Sequence, residues 1–231
     1  MSIVSRIFSH KPLHGHEKTH AGAVAPGLLV GAALLSAVSA VWIDRPLARF
    51  IAHWLPPGRT VPDSLPDLLV PFVAILSCLM LAVWMWTWSR GRGDSRLGRL
   101  APLVTLGLPL AFALKSLSKW IFGRTETRMF LSAHHACDFC HWFKGIGPYW
   151  SFPSGHMLVL TTLLVLFCRI YPGFRHYATA FLVALGIALL ATSYHFLGDV
   201  LGGWFFGYLL ALVILKADAG LHSAAIRRKP A

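Results

Sequence analysis

Two residues near the C-terminus have the types and spacing of a catalytic pair. His195 and Asp199 stand four apart in the segment HFLGD, a spacing that places two side chains on one face of a helix. A carboxylate there accepts a hydrogen bond from one imidazole nitrogen and leaves the other nitrogen free as a nucleophile or base. Taken alone, the pair is more typical of a polar contact between helices, so other residues must decide its role.

A second group, PSGH at residues 153–156, stands directly before an apolar run. Ser154 and Gly155 at the start of a helix offer a hydroxyl and backbone N–H groups at the positive end of the helix dipole, which is a general anion site. His156 in the first turn is placed to donate a proton to a leaving oxygen. The purely structural alternative is that Ser154 only caps the helix.

Basic residues near position 120 form the third group. Lys119 and Arg124 in KWIFGR add positive charge, and arginine grips phosphate oxygens with two parallel hydrogen bonds. At a helix end, such residues also simply extend to the membrane interface. Together the three groups predict phosphoryl transfer: His195 attacks, His156 protonates the leaving alkoxide, and water then releases phosphate. Fixed cations and N–H donors stabilise the charge, so no metal and no other cofactor is expected.

The elements that carry these groups are mostly apolar. Of 231 residues, 56% are hydrophobic and only 13% are charged, about half the charge fraction of a soluble domain, and the mean hydropathy is +0.61. A membrane-spanning helix needs about 20 apolar residues. The sequence therefore predicts an all-α integral membrane protein with six transmembrane helices, built on the uncharged runs 21–43, 68–88, 100–114, 157–168, 177–194 and 200–215.

The basic residues predict the orientation of these helices. Thirteen of the 21 lysines and arginines fall before the first run, in alternate links, and after the last run. The positive-inside rule makes that side cytoplasmic, together with both termini. Segments 44–67, 119–155 and 194–199 are then expected outside, which brings the three polar groups to one face. The net charge of +12 is explained by topology, so nucleic acid is not an expected partner.

The chain is divided by the same pattern into three parts. Residues 1–20 form a histidine-rich cytoplasmic tail, for which disorder is favoured over metal capture because no element fixes ligand geometry. Residues 21–216 form the six-helix membrane domain, with a catalytic core at about 100–205. Residues 217–231 form a basic cytoplasmic tail.

The order of the motifs resembles the type 2 phosphatidic acid phosphatase family, whose wider relatives include bacterial acid phosphatases and vanadium haloperoxidases. PSGH is followed by HxxxD, with His156 and His195 39 residues apart, and the basic group lies upstream. The resemblance implies a helical-bundle phosphatase core with an extracytoplasmic site, in a bacterial inner (plasma) membrane. It implies a lipid phosphate or diphosphate as substrate, His195 as nucleophile, His156 as acid and Asp199 as orienter, with phosphate bound by Lys119, Arg124, Ser154 and Gly155.

Two departures from the family pattern bear on activity. Glu126 and Thr127 occupy the place of an arginine-proline pair, and Leu189 occupies the place of a second arginine. Arg128, one helical turn after Arg124, is expected to supply the missing cation. The alternatives to a phosphatase are a phosphotransferase, in which a lipid alcohol replaces water, and a weakly active or degenerate member that binds lipid phosphates.

The segment 132–147, SAHHACDFCHWFKGIG, supports three interpretations. Its histidines and cysteines have ligand types that bind zinc. Cys137 and Cys140 would instead form a small disulfide outside the membrane. The third interpretation is an aromatic cap over the lipid pocket, built from Trp142, Phe143, Tyr149 and Trp150. A cap or a disulfide is favoured over a metal site, because such a loop needs a lid more than a cofactor.

Overall fold

The structure is a computed structural model that describes residues 26–55, 68–133, 139 and 141–227. Its elements are all helical, with no strand among the described residues. A π-helical turn, Ser39–Ile43, joins the first two helices, and short 3-10 turns occur at Gly147–Tyr149 and Pro172–Phe174. The helices are α1 Pro26–Val38, α2 Asp44–Trp54, α3 Leu69–Ser89, α4 Arg96–Phe122, α5 Thr127–Ala133, α6 Gly155–Ile170, α7 Arg175–Ala191 and α8 Leu197–Arg227.

Five helical segments are long and apolar enough to cross a membrane: Gly27–Trp54, Leu69–Ser89, Arg96–Ser132, Pro172–Ala191 and Leu197–Leu221. This finding confirms the all-helical prediction and is compatible with an integral membrane protein. The predicted count of six spans is not confirmed, because α6 has only 16 residues. At 1.5 Å per residue it is about 24 Å long, shorter than a hydrocarbon core of about 30 Å.

The expectation that segment 44–67 is an outer loop is wrong for its first part, because residues 44–54 are helical. Apolar residues recur there with helical spacing, at Leu47, Phe50, Ile51 and Trp54. The charges do not end the helix because they have partners. Arg45 and Arg49 lie 6.0 and 5.2 Å from the ring of Phe130.

The last helix also differs from the predicted boundaries at both ends. α8 begins at Leu197, so His195 precedes the helix instead of lying on it. The helix continues to Arg227, so most of the predicted basic tail is helical. The predicted histidine-rich tail at 1–20 lies outside the described residues.

The ends of α4 are set by local capping. Ser95 precedes the helix, and its Oγ accepts a hydrogen bond from the Gly98 N–H at 3.0 Å. Gly123 ends it in a left-handed conformation, with φ of 49°. A Cβ at Gly123 would lie 1.8 Å from the His141 carbonyl oxygen, so only glycine allows the loop to approach this turn. The end of α4 meets the starts of α6 and α8, and we call this end of the bundle the site end.

The packing of α6 against α8 depends on glycines. Lipid tails are as apolar as leucine, so helices in a membrane associate mainly through close approach and hydrogen bonds. A Cβ at Gly203 would lie 2.6 Å from the Ser154 carbonyl oxygen, and one at Gly207 would lie 2.4 Å from that of Leu158. Thr162 Oγ1 contacts the Leu158 and Gly207 carbonyl oxygens at 2.9 and 3.1 Å. This close contact holds the start of α6 beside the start of α8.

We predict that Gly207→Ala lowers the melting temperature of the detergent-solubilised protein. The new methyl group overpacks the α6–α8 contact, which typically costs about 1–3 kcal/mol. The matched control is Gly31→Ala on α1, where a Cβ meets nothing within 4 Å. That change should be neutral or stabilising, since alanine favours a helix over glycine by about 1 kcal/mol. Equal melting temperatures for the two variants would contradict the packing argument.

Candidate active site

A fully buried arginine lies at the centre of the polar cluster at the site end. Arg124 Nη1 donates to Asp199 Oδ1 at 2.6 Å, and Nη2 donates to Asp44 Oδ2 at 2.7 Å. The three side chains are no more than 1% exposed. Phe139 and Phe196 flank the guanidinium, with ring centres 4.9 and 4.4 Å from its central carbon. Two carboxylates and one guanidinium give this buried triad one net negative charge.

Both carboxylates of the triad also cap α8. The N–H groups of the first helical turn have no acceptor within the helix, and the dipole favours negative charge there. Phe196 N–H donates to Asp199 Oδ2 at 3.1 Å, and Gly198 N–H donates to Asp44 Oδ1 at 2.9 Å. A Cβ at Gly198 would lie 2.7 Å from Asp44 Oδ2, so glycine is needed for this approach. Ser39 Oγ, in the π-helical turn, also donates to Asp44 Oδ1 at 2.6 Å.

The predicted pair of His195 and Asp199 meets in the structure. Nδ1 of His195 lies 3.5 Å from Asp199 Oδ2, a distance longer than an ordinary N–H···O hydrogen bond. The same oxygen accepts a hydrogen bond from Ser151 Oγ at 2.5 Å. Burial lowers the pKa of His195 below its ordinary value, and the hydrogen-bonding influence of Asp199 only partly opposes this. The imidazole is therefore neutral at pH 7, and Nδ1 is the ring nitrogen that faces the carboxylate.

The start of α6 provides hydrogen-bond donors beside this pair. Ser154 N–H donates to the Asp199 carbonyl oxygen at 3.0 Å, which joins the two helix starts. Ser154 Oγ is completely buried, does not cap α6 and has no hydrogen-bond partner among the described residues. The N–H groups of Gly155, His156 and Met157 have no acceptor within the helix. A buried hydroxyl and three backbone donors are thus available to an anion.

Two cations and a tyrosine surround the histidines. Lys119 Nζ donates to the Trp150 carbonyl oxygen at 2.6 Å, and its charge acts on both His156 and His195. The guanidinium carbon of Arg128 lies 5.0 Å from the Tyr194 ring centre. That ring lies 5.4 Å from His195 and 6.3 Å from His156. The structure thus brings His195, His156, Lys119 and Arg128 to one place.

Arg124 has a different environment from the one that its predicted role implies. Both terminal nitrogens of its guanidinium are hydrogen-bonded to carboxylates. Its binding of phosphate stays a prediction, and the observed contacts give it a structural role instead. The positions of the two absent family arginines supply no cation. Glu126 is exposed, and Leu189 is a buried residue in an apolar cluster with Met157, Leu182 and Val200.

Three residues of this cluster were not singled out from the sequence: Asp44, Ser151 and Tyr194. Asp44 had a usable signal, because it is an acidic residue inside a stretch whose apolar residues keep helical spacing. Ser151 and Tyr194 had none, since each is one polar or aromatic residue among many in the links between helices. Their roles appear only when the helix starts meet.

The histidine- and cysteine-containing segment is described only in part. His134, His135, Cys137 and Cys140 lie outside the described residues, so the zinc and disulfide alternatives stay predictions. The His141 ring stacks on Tyr149, with centres 3.5 Å apart. Within the described part of the chain, no three histidine, cysteine, aspartate or glutamate residues are placed to hold a metal ion. The ring of Phe122 packs against Phe139, Trp142 and Phe152, with centres 4.8–6.4 Å away.

Comparison with known protein families gives one match. A family model described as the PAP2 superfamily matches residues 98–221, which is more than half of the chain. The matched region contains the basic group, PSGH and HxxxD in the order already described, and it leaves out Asp44. No curated protein and no solved structure matches the chain.

We predict that Asp44→Ala destabilises the protein strongly, because it leaves the buried guanidinium of Arg124 with one carboxylate instead of two. Removing one member of a buried ion pair costs about 3–5 kcal/mol. Reversible unfolding in mixed micelles measures the free energy, and Asp94→Ala, at an exposed position, is the control. That control should cost no more than about 1 kcal/mol, the upper range for an exposed ionic contact.

A double-mutant cycle separates the triad from a general effect of losing an acid. Asp44→Asn and Arg124→Gln should each destabilise, while the double variant should lose less than the sum of the two single losses. The reason is that Asp44 and Arg124 interact directly, so once Arg124 is replaced the loss of the Asp44 charge breaks no further ion pair and relieves its repulsion with Asp199. Additive losses would show that Asp44 and Arg124 do not stabilise each other.

Proposed function

Because the chain belongs to the PAP2 superfamily, we propose that it is a membrane phosphatase that hydrolyses lipid phosphates or diphosphates through a phosphohistidine intermediate. The observation that carries this proposal is the contact between two helix starts. The start of α8 holds the His195–Asp199 pair, and Ser154 at the start of α6 donates its N–H to Asp199. The proposed nucleophile, His195, therefore lies close to a helix start that can bind an anion.

In the proposed reaction, Nε2 of neutral His195 attacks phosphorus and forms an N–P bond as the P–O bond to the lipid breaks. Burial and then the charges of His195 and Lys119 lower the pKa of His156 to about 4, so in the proposal it takes up a proton as the phosphate anion binds beside it. His156 donates that proton to the departing oxygen, so the lipid leaves as an alcohol, or as a lipid monophosphate from a diphosphate. His156, now neutral, takes a proton from water as the water attacks phosphorus. The N–P bond then breaks, which releases inorganic phosphate and restores His195.

The surrounding donors supply the electrostatic part of catalysis. The transferring phosphoryl group carries charge on three equatorial oxygens, and preorganised donors stabilise it without reorganisation. Lys119, Arg128 and the N–H groups of α6 fill this role in the proposal. Arg124 acts indirectly in the proposal, because it holds Asp199 in place instead of contacting the phosphate. No step requires a metal.

An apolar cavity supports a lipid as the substrate. A cavity of about 850 Å³ lies between α6, α7 and α8, and its walls are mostly aliphatic. At the site end it is lined by Met157, which follows His156, and by Leu197, which lies midway between His195 and Asp199 in the sequence. At the far end it reaches Lys216, about 28 Å along α8. A hydrocarbon chain would fit along this cavity while its phosphate stays beside the histidines.

Two observations favour a second candidate, a family member that binds lipid phosphates with little or no turnover. Leu189 is buried among apolar side chains, and Glu126 introduces a negative charge near Lys119 and Asp199. Both features weaken stabilisation of a highly charged transition state. A phosphotransferase differs from the leading proposal only in the acceptor, a lipid alcohol in place of water.

We predict that His195→Ala reduces phosphate release to background for every substrate that the wild type accepts. The panel contains phosphatidic acid, phosphatidylglycerol phosphate, a polyprenyl diphosphate and lipid A phosphate, assayed in detergent with EDTA present. The variant lacks the nucleophile, so no acid-labile phosphoenzyme should form from ³²P-labelled substrate either. Release of phosphorylated alcohol instead of phosphate would identify the phosphotransferase.

The control for this assay is His176→Ala, since His176 is an exposed histidine near the start of α7. It should keep wild-type activity. Near-wild-type activity of folded His195→Ala would rule out the mechanism. A wild type that binds labelled lipid phosphate but releases nothing from the whole panel would favour the second candidate.

We also predict that the site end faces outward, and cysteine labelling tests this. In a background with the native cysteines replaced by serine, Ile146→Cys should react with an impermeant maleimide in intact cells, since Ile146 is 71% exposed. Gly173→Cys, between α6 and α7, should react only after permeabilisation, because it belongs to the predicted cytoplasmic side. A Cβ at Gly173 meets nothing within 4 Å, so the change fits. The reverse labelling pattern would invert the topology.

A further inference from the structure

Lys115 is used neither by the motifs nor by the proposed mechanism, and its side chain lies against the start of α6. Lys115 stands on α4 one helical turn before Lys119, and its side chain is partly buried. A Cβ built at Gly155 would lie 2.8 Å from Lys115 Cδ and 3.1 Å from Cγ. The aliphatic part of Lys115 therefore crosses Gly155, next to His156, where the N–H groups of α6 are available.

The ammonium group of Lys115 is held by aromatic rings. Its Nζ lies 4.0 Å from the ring centre of Phe112 and 6.0 Å from that of Trp150. Lys119 Nζ lies 5.9 Å from the same Trp150 ring. Cation–π contacts stabilise each ammonium without cancelling its charge. The ammonium groups of Lys115 and Lys119 thus both lie near Trp150, at one edge of the site.

No carboxylate neutralises Lys115 within the part of the chain that the structure describes, where none lies within 4.0 Å of it. Its charge acts on Lys119 and on His156. Like charges one helical turn apart repel, so the fold keeps two lysines together at a cost. A phosphate between them and the start of α6 would turn this repulsion into attraction.

Ser154 provides an independent indication of an anion at this place. Its Oγ is completely buried and has no hydrogen-bond partner among the described residues. An unsatisfied buried hydroxyl is costly, and a phosphate oxygen would accept its proton. Ser154 adjoins Gly155, across which Lys115 lies. The hydroxyl, the free N–H groups of α6 and the two lysines thus meet at one point.

We propose that Lys115 is a second phosphate-binding lysine, which grips the phosphoryl group of the substrate together with Lys119 and the start of α6. This inference rests on the proposed function and names the cation that replaces Arg124, whose terminal nitrogens are bound to carboxylates. Inorganic phosphate and a lipid phosphate present the same oxygens, so both are ligands of this site.

The test measures binding and turnover separately on Lys115→Met, Lys115→Arg and the control Lys144→Met. Lys144 is an exposed lysine in the link before α6. Titration calorimetry with orthovanadate and with inorganic phosphate gives the affinity for a free phosphate-like anion. Phosphate release from phosphatidic acid micelles gives kcat and KM for a lipid phosphate. Melting temperatures establish that each variant is folded.

Lys115→Met should weaken the binding of both anions by about 10-fold or more, the usual effect of losing a charge-assisted contact. It should lower kcat/KM for phosphatidic acid at least as much. Lys115→Arg should restore most of the affinity because it keeps the charge, and Lys144→Met should match the wild type. A weaker anion affinity with an unchanged melting temperature distinguishes a ligand contact from a structural role.

The possible results test the Lys115 inference and the proposed function separately. If folded Lys115→Met binds vanadate and phosphate within twofold of the wild type while His195-dependent turnover persists, Lys115 is not a phosphate ligand and the proposed function stands. If anion binding depends on Lys115 but no lipid phosphate is hydrolysed, the proposed function fails and the binding site stands. A wild type that binds neither anion overturns the Lys115 inference.

Discussion

The site end depends on one buried interaction, the guanidinium of Arg124 between the carboxylates of Asp44 and Asp199. A charge removed from water is tolerated only when it is paired and hydrogen-bonded. Here the partners come from three parts of the chain: the first helical segment, the end of α4 and the start of α8. If any one of them moves, at least one buried ion pair is lost. The triad therefore fixes the three elements relative to one another.

Close helix contact makes this arrangement possible. Glycines on α8 let it approach both α1 and α6, and the same approach brings Gly198 N–H to Asp44 and the Asp199 carbonyl oxygen to Ser154. Larger residues at these positions would push the helix starts apart. The carboxylates could then neither cap α8 nor reach Arg124. The packing and the polar contacts are therefore not independent, because each forms only at the helix–helix distances that the other requires.

The sequence predicted the parts of the structure that depend on local patterns. It did not predict the roles of residues whose partners are distant in the chain. The uncharged run 68–88 became Leu69–Ser89, and the motif residues His195, Asp199, Ser154 and Lys119 do come together. The helical spacing around Asp44 was a usable signal, but its role could not be assigned, because its partners Arg124 and Gly198 are 80 and 154 residues away. Its charge was taken as the end of a span, whereas pairing with Arg124 allows the helix to continue through it.

The charges around His195 are of two kinds, those of the buried triad and those of the nearby cations. The triad carries one net negative charge beside the imidazole, which would stabilise the positive imidazole of the proposed phosphoryl transfer. Lys119, Arg128 and the start of α6 are the groups to which the proposed function assigns the phosphate. Arg124 makes the two carboxylates compatible with a nearby anion. Without it, two adjacent carboxylates beside His195 would repel a phosphate at the start of α6. The arginine that resembles a phosphate ligand in the sequence is thus bound to two carboxylates in the structure and neutralises one of them.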